Sequence, residues 1–201
     1  MAGRSVRVYL EIGGDARFLS HLDLLRVIER AVRRSRLKVD YTEGFHPRIR
    51  VSLPQALPVG VGSRGDCFTI RVDPGHSLEI IESRMAGVFP EGIRMTGVEE
   101  GPPPREPQWL GLSIEVNNGH AAAESVATAL REEDDRRYSR ASVRGAAVIL
   151  EITGGGATGH PPRVREHMQH VQETLRRLGF TGGIGEVIKL IGWTSNRPPS
   201  T

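Results

Sequence analysis

The sequence is nearly without cysteine: Cys67 stands alone among 201 residues. A single thiol excludes an intramolecular disulfide and any Cys-rich zinc or iron–sulfur cluster built within the chain, which points to a reducing compartment. Apolar runs are short as well. None approaches the ~20 residues needed to cross a bilayer, and the start Met1-Ala2-Gly3-Arg4 has no apolar export segment. The expectation is a cytoplasmic protein with no membrane partner. There are only ten aromatic residues, five Phe, three Tyr and two Trp, and none clusters as the stacking platform of an RNA-recognition sheet. No serine sits in a nucleophile-elbow pattern and no base adjoins Cys67, so covalent catalysis has no candidate and Cys67 is expected in the core.

What is present is an ordinary globular composition, 38% hydrophobic and 25% charged, with charge unevenly spread. The chain carries +3 overall, yet between Arg17 and Arg50 nine basic residues face four acidic ones. Such a local surplus draws anionic partners, nucleic acid or an acidic protein face, to one surface, unless it is simply a solvated face.

Val6, Val8, Leu10 and Ile12 alternate with polar residues, which predicts a strand over residues 4–12. Ser20 with Asp23 three residues on forms an acidic variant of the capping box, so a helix starts there. Leu22, Leu25, Ile28 and Val32 recur at helical spacing as its packing face, with Arg26, Arg30 and Arg33 in a separate stripe. Short strands are predicted over 38–42 and 49–53, a Pro/Gly-rich loop over 54–65, a strand through Phe68, Ile70 and Val72, a second helix over 77–88 and a strand at Ile93 and Met95.

Prolines at 102, 103, 104 and 107 then break every pattern. The second half repeats the grammar: a strand over 110–116, an Ala-rich helix over 120–133, strands over 138–143 and 148–152, a helix over 163–178 stopped by Gly179, and a strand over 184–190. Val164, Met168, Val171, Leu175 and Leu178 form the fourth helix's expected buried face. The predicted class is α+β, two ferredoxin-like β-α-β-β-α-β units in tandem. The divisions are 1–100 and 109–193 for the units, 101–108 for a Pro-rich linker and 194–201 for a flexible tail.

Chemistry concentrates in Phe18-Leu19-Ser20-His21-Leu22-Asp23-Leu24-Leu25 and in Tyr41-Thr42-Glu43-Gly44-Phe45-His46-Pro47-Arg48. The two strings meet only if the intervening chain folds back. Together they hold two histidines, two carboxylates, a tyrosine and Arg48, which could bind or polarise an anionic group. His21 lies at helical spacing nearer the Leu25/Ile28 face than the arginine stripe, which favours a buried, hydrogen-bonded role over catalysis. Asp23 reads as a cap. A turn rarely needs a histidine and an arginine in addition to Gly44, Phe45 and Pro47, and this tilts the second string towards function. The glycines from 60 to 65 lack the Gly-Lys-Ser/Thr ending of a phosphate-binding loop and read as a strand connection. His167 and His170 could clamp a metal, but no third ligand converges on them, so they read as a solvated helix face and no metal is expected.

Arg17-Phe18-Leu19-Ser20-His21-Leu22-Asp23-Leu24, Tyr41-Thr42-Glu43-Gly44-Phe45-His46-Pro47-Arg48 and Leu57-Pro58-Val59-Gly60-Val61 resemble the radical SAM-linked family of unknown function. The likeness is specific over residues 4–75, and Ile49 stands where related sequences often carry a second proline. Members occur fused to radical SAM proteins or encoded beside them, so the resemblance implies an accessory role with a separately encoded radical SAM enzyme as partner. Cys67 alone cannot hold the cluster of such an enzyme, so this chain is expected to bind no cofactor of its own.

Three readings stand at this point. The first is an accessory module holding a substrate, RNA foremost, on Arg17, Ser20, His21, Asp23, Arg26, Arg30, Arg33, Tyr41, Glu43, Phe45, His46 and Arg48. The second is a metal-independent RNA-processing endonuclease with His21 or His46 as general base and Arg48 stabilising the phosphorane. The third is an adaptor that binds only protein.

Overall fold

A computed structural model describes residues 3–54, 56–103, 109–133, 138–152 and 164–192. The expected tail and most of the expected linker lie outside them. The chain divides into two compact units, Met1–Glu106 and Pro107–Thr201.

In the first unit the order is β1 (Arg4–Ile12), a 3-10 turn (Gly14–Phe18), α1 (His21–Arg34), β2 (Val51–Ser52), β3 (Val61–Val72), α2 (Leu78–Met85) and β4 (Ile93–Glu100). β1 is central, antiparallel to β4 on one side and to β3 on the other, and β2 continues the sheet antiparallel to β3. The pairs Val6↔Ile70 and Val8↔Phe68 put the alternating apolar residues of both strands on one face, all of them buried. The period-2 pattern read from β1 therefore defines the core face.

α1 begins where its cap predicts, with Ser20 Oγ accepting from the Asp23 amide at 3.2 Å. Its buried face differs from the expected one. Leu24, Ile28, Ala31 and Val32 are buried, whereas Leu22 is 63% exposed and Leu25 half-buried. Leucines crowd both sides of this helix, and the small Ala31 completes the inner stripe in place of the larger side chains. No glycine follows the helix. Arg36 takes the left-handed conformation itself (φ +55°), and its carbonyl accepts from Arg84 Nη1 at 3.1 Å. The expected loop over 54–65 is shorter than predicted, because β3 starts at Val61, and Gly62 and Ser63 are buried strand residues.

The second unit comprises β5 (Trp109–Val116), α3 (His120–Glu132), β6 (Tyr138–Arg144), β7 (Ala147–Ile152), α4 (Val164–Arg177) and β8 (Ile184–Gly192). β5 is antiparallel to β8 and to β7, and β6 pairs antiparallel with β7. Leu112↔Leu150 and Ile114↔Val148 build the same kind of one-sided core. α3 buries Ala122, Ala123, Val126, Ala127 and Leu130.

α4 departs most from expectation. Its buried residues are Val164, His167, Val171, Thr174 and Leu175, while Leu178 is 40% exposed. His167 and His170 are not on a solvated face. His167 is 1% exposed, and its Nδ1 shares a hydrogen bond of 3.0 Å with the Tyr138 hydroxyl. His170 Nε2 lies 2.9 Å from Glu133 Oε2. The tyrosine ring packs on both imidazoles, with centroids 5.2 and 6.0 Å away. The class is thus mixed α and β, with antiparallel pairing in each unit. No helix among the described residues is long and apolar enough to cross a membrane.

Candidate binding surface

The expected short strands over 38–42 and 49–53 are two legs of one excursion. Val39 bridges Val72 at the sheet edge, the chain then leaves the sheet, and it returns at Val51 opposite Ile70. Between these points Tyr41 bridges Ile49, the Thr42 amide donates to the Arg48 carbonyl at 2.7 Å, and the Arg48 amide donates to Thr42 Oγ1 at 2.9 Å. Residues 40–50 thus form a hairpin whose tip is Glu43-Gly44-Phe45-His46-Pro47. Gly44 sits at φ +120°, a conformation that any Cβ would strain. Every residue from Tyr41 to Arg48 is exposed, whereas Ile49 is buried and pins the returning leg.

The hairpin folds back beside α1. Leu25 and Glu29 of the helix line a cleft of about 420 Å³ together with Thr42, Arg48, Ile49, Arg50 and Val51. The hairpin thus meets the first motif string only at its last residue, Leu25, and otherwise lies along the middle of the helix. Leu25, Glu29 and Arg50 were not among the residues predicted for the site. Leu25 and Glu29 lie on the helix at the spacing that could have marked them, but nothing local indicates which α1 face a hairpin closed through β3 will cover.

The predicted residues fall into three groups. Ser20, Asp23 and Arg26 form a local chain at the start of α1: Ser20 Oγ donates to Asp23 Oδ2 at 2.6 Å, and Arg26 Nη1 pairs with Asp23 Oδ1 at 2.9 Å. The Ser20 hydroxyl, then Arg26, hold the Asp23 carboxyl below its ordinary value. These residues start the helix. His21 is half-buried beside them, and its Nδ1 is buried with no hydrogen-bond partner. Arg17 packs its guanidinium over the Phe18 ring at 4.8 Å, and its carbonyl accepts from the Gly60 amide at 2.7 Å.

The second group is Arg30 and Arg33, joined by Arg34, all exposed on α1 and in no ion pair among the described residues. Arg33 and Arg34 occupy the last turn, where the helix dipole favours positive charge. The third group is the hairpin: Tyr41, Glu43, Phe45, His46 and Arg48. Neither His21 nor His46 meets a carboxylate among the described residues, and no group of three or more potential metal ligands occurs there.

Fold and surface together define a two-unit α+β protein whose first unit presents a basic helix and a projecting hairpin side by side. A family model described as an uncharacterized protein conserved in bacteria (DUF2344) matches residues 5–110. That is more than half of the chain, which belongs to this family. The match includes both α1 and the hairpin. No curated protein matches the chain.

Proposed function

We propose that this chain is an accessory binding module that holds RNA on the α1–hairpin surface of its first unit for a separately encoded radical SAM enzyme. The observation that carries the RNA reading is the exposed set Arg30, Arg33 and Arg34, without ion pairs among the described residues, on the helix whose Leu25 and Glu29 line a cleft with Arg48 of the hairpin. An arginine with no carboxylate partner keeps its full fork of donors for phosphate oxygens. Arg26, held by Asp23, contributes less. The radical SAM partner rests on the motif resemblance over residues 4–75. Each unit is further read as ferredoxin-like, supported by the β-α-β-β-α-β order with the first strand flanked by the fourth and third.

The test is RNA affinity against salt for the wild type and for Arg30→Ala/Arg33→Ala. If both arginines meet phosphate, the double variant binds more weakly and its log–log salt slope is shallower by about 2. An unchanged slope removes the arginines from the interface. The enzyme partner is tested by recovering the tagged chain from its own lysate with and without ribonuclease. A radical SAM protein retained after nuclease supports the accessory role, and its absence removes it.

A metal-independent endonuclease on the same surface has less support, because His21 turns its Nδ1 inward and His46 stands without a carboxylate to orient it among the described residues. Cleavage that His46→Ala abolishes at unchanged affinity would reverse that ranking.

A further inference from the structure

On the RNA reading, the arginines of α1 meet the phosphates and the hairpin tip is left without a task. Phe45 is 101% exposed, so its ring contributes nothing to the core. The hairpin that carries it is nonetheless braced, by the Thr42–Arg48 hydrogen bonds, by the Tyr41–Ile49 bridge over buried Ile49, and by Pro47, which restricts the chain beside the ring. A well-supported loop that holds an aromatic ring wholly in water is built for contact with something else.

The surroundings of the ring indicate what that is. An apolar anchor for a protein partner normally lies within a continuous apolar patch, with its neighbours excluding water around it. Phe45 instead shares the tip with Glu43, Gly44, His46 and Pro47, and the legs carry Arg48 and Arg50 with half-exposed Tyr41. An exposed ring with arginines on the same hairpin matches a nucleotide, whose base offers a flat π-face and whose two flanking phosphates offer charge. One ring serves one base, so the chain's lack of an aromatic platform is no obstacle.

We propose that Phe45 stacks on a single unpaired base of the bound RNA while Arg48 and the α1 arginines hold the neighbouring phosphates. This rests on the RNA reading above and narrows it to single-stranded or looped RNA, since the bases of an uninterrupted duplex show no free face.

The test compares a mixed-sequence RNA strand lacking self-complementarity with its blunt duplex, against the wild type, Phe45→Ala and Phe45→Trp, each checked for an unchanged melting curve. The wild type prefers the single strand. Phe45→Ala loses roughly 5- to 100-fold on the single strand and little on the duplex, with its salt slope intact. Phe45→Trp keeps the affinity, and its added indole emission is quenched by the single strand only. Equal affinity of Phe45→Ala and wild type for the single strand overturns the stack while leaving the arginine contacts standing. If the wild type binds neither RNA, both readings fail together. Release of a nuclease-resistant protein partner by Phe45→Ala would in that case make the ring a protein anchor.

Discussion

The Arg50 amide donates to the Asp40 carbonyl at 3.0 Å and closes the neck of the hairpin at the sheet edge. Asp40 is held there from the other side, its amide donating to the Arg71 carbonyl at 2.9 Å and its carboxylate pairing with Arg71 Nε at 3.2 Å. The excursion is thus anchored at its base and at Ile49, and everything beyond is exposed.

Replacing residues 42–48 with Asn-Gly, a pair suited to a two-residue hairpin turn, should therefore leave the fold intact while removing the proposed contact surface. Stability is expected to change by no more than about 1 kcal/mol, because no buried side chain is lost and a shorter loop costs less to close. The proposed RNA-binding role requires affinity for RNA to fall in the same variant. Chemical denaturation and a binding titration read the two effects separately, and a large drop in stability would mean that the tip supports the fold.

Tyr9 predicts the alkaline limit of the first unit. Its hydroxyl donates to Glu99 Oε2 at 2.6 Å, and burial first, then the hydrogen bond and negative charge of Glu99, push the phenol from 10.0 up to about 12. As pH rises past 10 the unfolded chain gives up this proton while the folded chain keeps it. The contribution of Tyr9 to stability is therefore complete below pH 10 and is lost progressively towards pH 12. Urea unfolding across this window should show stability falling with pH. Tyr9→Phe should fall less steeply and start about 1 kcal/mol lower at neutral pH, for want of the hydrogen bond.

Glu133 predicts the acid response of the second unit. Burial works against its charge, but the hydrogen bond from Arg177 and the charges of His170 and Arg177 outweigh it, and the carboxyl stays below the ordinary glutamate value. A depressed carboxyl stabilises the fold above its unfolded value, and that contribution disappears as pH falls through the folded one. Glu133→Gln should lower the melting temperature at neutral pH and flatten its decline in acid, whereas Glu132→Gln, exposed one residue earlier, should do neither. Equal behaviour of the two variants would mean that the Glu133 contacts carry no stability.

Several features were legible from the residues alone. Val6, Val8, Leu10 and Ile12 declared a strand and its buried face, and Ser20 with Asp23 declared the start of α1. In each case the cause lies within a few residues: side chains alternate across a strand, and a cap hydroxyl meets an amide in the next turn. The motif string from Tyr41 to Arg48 stood out because its residue types exceed what a turn requires.

Other features depend on partners distant in the chain. Which leucines of α1 face inward follows from the sheet beneath them: helical spacing points to Leu22 and Leu25, whereas Leu24 and Ala31 occupy the core. His167 looked solvated because imidazole is polar, but Tyr138 brings a hydroxyl to it across 29 positions and makes its burial affordable.

The sequence by itself determined the elements, the caps and the concentration of positive charge from Arg17 to Arg50, since these follow from periodicity and local hydrogen bonding. Only the tertiary structure decided that the Tyr41–Arg48 string stands out from the sheet edge beside α1, with Phe45 in water and Arg48 across a cleft from Glu29. Strand pairing with β3 sets that arrangement, and a register between distant strands has no local signature.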